Sequence, residues 1–358
     1  MSTDTLERTP DTERLNNFLG RMVGDLGAIA SGALVLLGDR LGLFAAMRDG
    51  SRMSSGELAR RTGTHERYVR EWLAAQAAAG YVDYDDASNQ FFLNAEQAAV
   101  FADDASPASM AGAFEVLASL WLDEAKVAEA FRSGRGVAWH DHSRCLFRGT
   151  ERFFRPGYNT NLVASWLPAL DGVVAKLERG ATVADVGCGH GSSTIVMARA
   201  FPNSRFVGFD YHPASIEAAR EAAQGMGVAH NTRFEVADAR SFGGRYDLVT
   251  FFDCLHDMGD PVGAASHVRE SLAPDGTWMI VEPFAHDRLR DNLNPVGRIF
   301  YSASTMICTP CSLSQDVGLG LGAQAGELRL RQVVTSGGFG RMRRATETPF
   351  NLVFEAKA

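Results

Sequence analysis

The chain has 358 residues, 46% of them hydrophobic and 22% charged, with a formal net charge of −8. Its length exceeds a typical domain of ~100 to 200 residues, so two units are expected, and the apolar share is enough for a sizeable core. The acidic balance argues against a general nucleic-acid-binding role, because phosphate contacts need clustered Lys and Arg.

In chain order, the polar start MSTDTLERTPDTER has no basic region followed by an apolar stretch, so no secretory signal is expected. From Leu15 to Met47 the pattern is helical, with Leu34, Leu37, Leu41 and Phe44 recurring on one face that must be buried. The most apolar early run, Leu26 to Gly38, is shorter than the ~20 residues of a membrane helix and reads as a buried or interface helix. Ser54 followed by Glu57 resembles a capping box, and Gly63 ends the helix it opens. A further helix, Glu66 to Ala79, carries Val69, Trp72, Leu73 and Ala77 and stops at Gly80. The segment Tyr81 to Leu93 then has strand-like ends around a polar turn. Helix, turn, helix and hairpin predict an α-helical winged-helix domain within residues 1–105.

Charge decides what that domain binds. Between Arg70 and Lys126 there is no Lys or Arg, while the wing carries Asp83, Asp85 and Asp86. Arg60, Arg61, Arg67 and Arg70 lie among Glu57, Glu66 and Glu71, which is the pattern of a solvated face. No nucleic acid and no membrane are therefore expected as partners, and the apolar region around Leu34, Leu37 and Leu41 is expected to hold a homodimer.

Residues 106–180 read as a helical linker and substrate lid. Helices are expected at Ala111 to Phe131 and Asn161 to Leu177, on either side of an aromatic and polar loop from Trp139 to Tyr158. His140, His142 and Tyr158 are candidates for touching substrate. His140, His142 and Cys145 lack a fourth ligand at zinc-site spacing, and Cys308-Thr-Pro-Cys311 has no second C-x-x-C, so no metal is expected and the latter reads as a loop near the pocket. Five cysteines without a regular framework, in a chain with no export signal, suit a reducing cytoplasm.

Residues 181–358 carry the strongest signal. The strand Thr182 to Val186 runs into Asp185-Val-Gly187-Cys188-Gly189-His-Gly191, with a helix beginning near Ser192. Glycines at alternate positions let the backbone approach a ligand, and the helix behind them offers unpaired N–H groups to an anion. The third glycine comes one residue earlier than in a dinucleotide fingerprint, which favours S-adenosylmethionine over NAD. Later strands follow at Arg205 to Asp210, Thr232 to Val236, Tyr246 to Phe252 and Gly276 to Glu282, and two more strand-like runs lie between Arg341 and Lys357.

Val183 to Thr194 resembles the first motif of class I S-adenosylmethionine-dependent methyltransferases, and the later strand ends arrive in that family's order over roughly half the chain. The resemblance implies an α/β fold: a Rossmann-like seven-stranded methyltransferase domain closed by an antiparallel pair, behind an N-terminal winged helix that builds a dimer. It implies cofactor contacts from Asp185, Gly187, Cys188, Gly189, Gly191, Asp210, Tyr211, Asp238, Ala239, Phe252 and Asp253. Asp185 would order the loop and meet the amino group, Asp210 the ribose and Asp238 the adenine amine.

The segment Phe252-Asp-Cys-Leu-His256-Asp-Met-Gly-Asp260 resembles the stretch of winged-helix O-methyltransferases in which a histidine followed by aspartate deprotonates the acceptor; Met258 stands where those enzymes have tryptophan. An imidazole of ordinary pKa ~6.5 is largely neutral in the cytoplasm and can take that proton. Glu282 would orient its other nitrogen. The expected function is methyl transfer to a small molecule, most readily at oxygen. The alternatives are an N- or C-methyltransferase, a non-methylating enzyme that uses the same cofactor, an NAD-dependent oxidoreductase, and a cofactor-sensing DNA-binding regulator.

Overall fold

A computed structural model describes residues 9–358, so the first eight positions of the polar N-terminal stretch lie outside the described residues. The chain divides into two units, one ending at Phe114 and one running from Glu115 to Ala358.

The first unit opens with a 29-residue helix, α1 (Thr12–Arg40), capped by the Asp11 side chain. Its composition and length would suffice to cross a membrane, which corrects the shorter span expected from Leu26 to Gly38. Helices α2 (Ser55–Thr62) and α3 (Glu66–Ala78) follow, and the Ser54–Glu57 capping box is formed in both directions. Gly63 closes α2 in the left-handed conformation, at φ +65°. Strands β1 (Asp83–Asp85) and β2 (Gln90–Phe92) pair antiparallel as the wing. The core of this unit gathers Val35, Phe44, Leu58, Val69, Trp72, Leu73, Val82 and Leu93. Trp72 donates from its indole N–H to the Leu34 carbonyl, so the polar edge of a buried ring is satisfied. Of the stripe expected to be covered, Phe44 is interior, whereas Leu37 and Leu41 are exposed.

The second unit is built on a seven-stranded sheet. Its strands are β3 (Thr182–Val186), β4 (Arg205–Asp210), β5 (Thr232–Val236), β6 (Tyr246–Phe252), β7 (Leu272–Pro283), β8 (Arg341–Glu347) and β9 (Asn351–Lys357). They lie in the order β5-β4-β3-β6-β7-β9-β8. The first five are parallel, and β9 and then β8 close the sheet antiparallel. Side chains alternate between the two faces: Val183, Phe206, Leu248 and Met279 enter one core, and Ala184, Phe209, Val249 and Ile280 enter the other. Both faces are covered, so the central strands are near-continuous apolar runs. The carboxyl ends of β3, β4, β6 and β7 put Gly187, Asp210, Asp253 and Glu282 along one edge of the sheet, where open parallel sheets bind ligands.

Four local expectations differ from the structure, the first being the helix expected at Asn161 to Leu177, which is interrupted between Ala169 and Val173 by an extended Leu170 and a left-handed Gly172. The helix expected across 111–131 breaks at Asp123 into Ala111–Leu122 and Glu124–Ser133. Asp123 turns inward and accepts from the Ser143 N–H and hydroxyl, which a continuous exposed helix face could not offer. The loop expected from Trp139 to Tyr158 is mostly helix, Arg144–Gly157, running on into a π-helix at Tyr158–Trp166. Gly149 permits this by packing against the Val116 backbone, where an added Cβ would come within 2.7 Å. Cys308 and Cys311, expected in a loop, lie on consecutive helical turns and are buried.

Candidate active site

The loop after β3 is shaped by its neighbours. Gly187 and Cys188 both donate their backbone N–H to the Phe209 carbonyl, at 2.8 and 3.0 Å. Gly187 sits at φ +74°, and a Cβ there would lie 2.7 Å from the Cys254 sulfur, so the position needs glycine twice over. Asp185 is buried beneath the loop and accepts from Ser193 (2.6 Å), Thr194 (2.5 Å) and Thr250 (3.1 Å). Burial nevertheless lifts its pKa to about 6, against the pull of those hydroxyls. Asp185 thus orders the start of the following helix. Asp210, at the end of β4, accepts from the N–H of Gly189 and of His212, both at 2.9 Å, which fixes the glycine loop to the next strand.

The loop opens on a cleft lined by Gly187, Cys188, Gly189, Asp210, Tyr211, Asp238, Ala239, Phe252 and Asp253 among others. Gly191 and Asp185, expected to meet the cofactor, stand outside its lining, Asp185 because its oxygens are held by hydroxyls. The cleft fits an adenosyl amino acid on two observations. An added Cβ at Gly189 would meet nothing within 4 Å, so the loop leaves space over its backbone. Asp253 accepts from Asn351 through Oδ1 at 2.9 Å but keeps Oδ2 buried without a partner, which is a place for an ammonium group. Burial, and then the nearby Glu282 charge, push the Asp253 pKa well above the usual carboxylate range, so a bound cation would be welcome. Gly191 closes the loop by donating to the Cys188 carbonyl. Asp238 accepts from the backbone and guanidinium of Arg240, at 2.8 and 3.1 Å, so any adenine contact there is shared with that arginine.

His256 lies one short turn beyond β6 and is 3% exposed. Its Nδ1 is 2.6 Å from Glu282 Oε2, which places an N–H on Nδ1 and turns Nε2 away from that carboxylate. On the other side, Nε2 stands 3.2 Å from Asp257 Oδ1. Burial pulls the His256 pKa down, but the Glu282 and Asp257 carboxylates outweigh it and hold the ring well above its ordinary value. Both carboxylates thus oppose the neutral resting imidazole expected from the sequence. Asp257 and Met258 line the cleft, and His256 is their buried neighbour in the chain.

The three candidate substrate residues separate. Tyr158 lines the cleft and packs against Phe252 with ring centroids 5.3 Å apart. His140 is exposed, its ring 6.5 Å from that of Tyr211. His142 is buried with Nδ1 against Asp123 Oδ2 at 3.2 Å, and its Nε2 has no partner. The wall not expected from the sequence is the helix Arg144–Gly157, which contributes Phe147, Thr150, Glu151 and Phe154 to the cleft. Glu151 accepts from the Ser192 hydroxyl at 2.8 Å and so ties this helix to the glycine loop. The spacing i, i+3, i+4, i+7 was a helical signal hidden in a segment read as an aromatic loop.

Residues 177–326 match the family described as "Methyltransferase domain", and residues 29–103 match the "Rv2258c-like winged HTH domain". A Mitomycin biosynthesis 6-O-methyltransferase of Streptomyces lavendulae is 24% identical over 69% of this chain and 72% of its own length. Human N-acetylserotonin methyltransferase, solved with S-adenosylmethionine, superimposes with a TM-score of 0.71 at 15% identity, covering 100% of this chain and 99% of that one. An O-methyltransferase family protein from Burkholderia thailandensis does so at 0.70 and 18% identity, covering 95% and 97%.

Proposed function

We propose that this chain, a class I S-adenosylmethionine-dependent methyltransferase with an N-terminal winged-helix domain, methylates a hydroxyl of a small molecule with His256 as the base. The observation that carries this reading is the buried His256–Glu282 pair beside the cleft at the ends of β6 and β7. The bound cofactor supplies an electrophilic methyl group on a sulfonium, open to in-line displacement by a nucleophile held close.

The chain's own residues do the rest. Asp210 and the glycine-loop backbone hold the ribose side, Asp238 with Arg240 the adenine edge, and the unpartnered Asp253 oxygen the amino group. Tyr158, Phe154 and Phe147 exclude water from the acceptor. His256, once neutral, takes the hydroxyl proton at Nε2, and Glu282 stabilises the imidazolium that forms. Because Asp257 lines the cleft and stands 3.2 Å from Nε2, the acceptor must reach the ring past that carboxylate. The fully ionised pair then favours proton uptake in the low-dielectric interior.

Incubation with methyl-labelled cofactor and a panel of phenols, acids and amines tests the acceptor. Labelled methyl ethers are expected; label confined to nitrogen or carbon would discard the oxygen assignment. In the winged helix, Arg67 pairs with Glu71 at 2.5 Å and Arg70 with Glu66 at 2.7 Å, so its helical charges are spent locally, which supports the small-molecule reading over a DNA-binding one. The reading includes a cytoplasmic homodimer joined through α1, where Leu15, Phe18, Leu19, Val23, Leu26 and Ile29 are exposed. A contiguous apolar face of this kind marks an association surface.

A further inference from the structure

Three side chains from two distant segments converge beside the cleft. One donor atom each from His256, Asp257 and Cys308 lies within 4.8 Å of the other two. Asp257 Oδ1 is buried and makes no hydrogen bond of good geometry, although His256 Nε2 stands 3.2 Å from it. A buried carboxylate oxygen without a good hydrogen bond is costly unless something occupies the space beside it.

We propose that His256 Nε2, Asp257 Oδ1 and Cys308 Sγ form a three-donor, zinc-type metal site with one open position, and that its occupancy switches the enzyme off by taking the nitrogen that would deprotonate the acceptor. The inhibitory consequence rests on the reading of His256 as the base; the site itself does not.

Donor set and geometry agree with this ion. Imidazole, thiolate and carboxylate are the ligands of tetrahedral Zn²⁺, with bonds of ~2.0 to 2.3 Å that place ligand atoms a few ångströms apart. The 3.2 Å between Nε2 and Oδ1 suits that arrangement. Glu282 on Nδ1 supplies the carboxylate–histidine support by which proteins orient a metal-binding imidazole. The carboxylate and thiolate ligands together balance the charge of a divalent cation. Asp257 also lines the cleft and gives the ion an entry path. On binding, the ion displaces the proton from Sγ, and the proton from Nε2 where the ring is charged; no electrons are transferred.

The test is a titration of chelator-treated full-length protein with Co²⁺, followed by its absorption. One equivalent should produce a thiolate-to-cobalt charge-transfer band together with the intense visible bands of a tetrahedral ion, and Zn²⁺ should displace it. Cys308→Ser should abolish the charge-transfer band and weaken the metal by about 100-fold or more, since losing a ligand costs at least as much as losing an outer-shell partner. Cys311→Ser should keep the band. Should Cys308→Ser fail to fold by circular dichroism, Asp257→Asn provides the second variant, with weaker binding and an altered visible spectrum expected.

No saturable equivalent, or a band lost in Cys311→Ser and kept in Cys308→Ser, overturns the site and leaves the role of His256 intact. In the activity arm, stoichiometric Zn²⁺ should suppress methyl transfer and a chelator should restore it. Metal bound with transfer unimpaired overturns the switch and, with it, His256 as the base.

Discussion

Glu282 accepts from the Leu255 N–H through Oε1 at 3.0 Å and from His256 Nδ1 through Oε2 at 2.6 Å, so one carboxylate holds both the imidazole and the turn that carries it. Removing that carboxylate therefore acts on orientation and on charge together.

His256→Ala should leave cofactor affinity nearly intact and lower methyl transfer by about 100- to 10,000-fold, the usual contribution of a positioned base. An acceptor already ionised at the assay pH should lose much less. Because the carboxylates hold the ring's pKa well above its ordinary value, activity of the wild type should rise with pH beyond neutrality before levelling. In Glu282→Gln, the acid limb of that profile should move to lower pH, since a positive ring has lost its partner, while the plateau falls less than in His256→Ala. Rate–pH profiles of the three proteins decide this, and an unmoved limb in Glu282→Gln would refute the pairing.

Asp210→Ala should weaken cofactor binding by roughly 1.5 to 3 kcal/mol, the scale of hydrogen bonds to a charged group. The same change frees the Gly189 N–H that the carboxylate now holds, so Asp210→Asn, which keeps an acceptor oxygen, should lose less. Calorimetric titration measures both; equal affinity in all three proteins would remove Asp210 from the site.

Asp185 links stability to pH. Its folded pKa, about 6, lies above the ordinary 3.8, so the native state keeps a proton that the unfolded chain has released. The stabilisation is fully present below the unfolded value and is lost as pH rises through the folded one. Relative to Asp185→Asn, wild-type stability should thus decline by up to ~3 kcal/mol between about pH 4 and about pH 7. Denaturant unfolding across that window is the measurement, and a constant difference between the proteins would contradict it.

The proposed dimer is tested on α1. Phe18 is 50% exposed and Val23 69%, so replacing both with glutamate should not disturb the interior of the winged-helix unit. Light scattering should find the wild type dimeric at micromolar concentration and the double variant monomeric with its helix content retained. A monomeric wild type would dispose of the interface.

What the sequence by itself determined were features written in short windows. The capping box at Ser54, the glycine loop, the acid at the end of β4 and the closing pair β8–β9 all follow from local spacing, strand period and chain order. Local reading failed where packing overrode propensity. The aromatic and polar run from Trp139 to Tyr158 reads as a loop, yet Arg144–Gly157 is helical, with Gly149 packed closely against the Val116 backbone. Only the tertiary structure decided which chemical groups meet. Cys308 and the pair His256–Asp257 lie about 50 residues apart in sequence, and a metal-ligand spacing is recognisable only when the ligands share a short segment. The charge state of His256 was likewise beyond local reading: a pKa is set by burial and by the charges that face the ring, and Glu282 reaches it from a neighbouring strand 26 residues away in sequence.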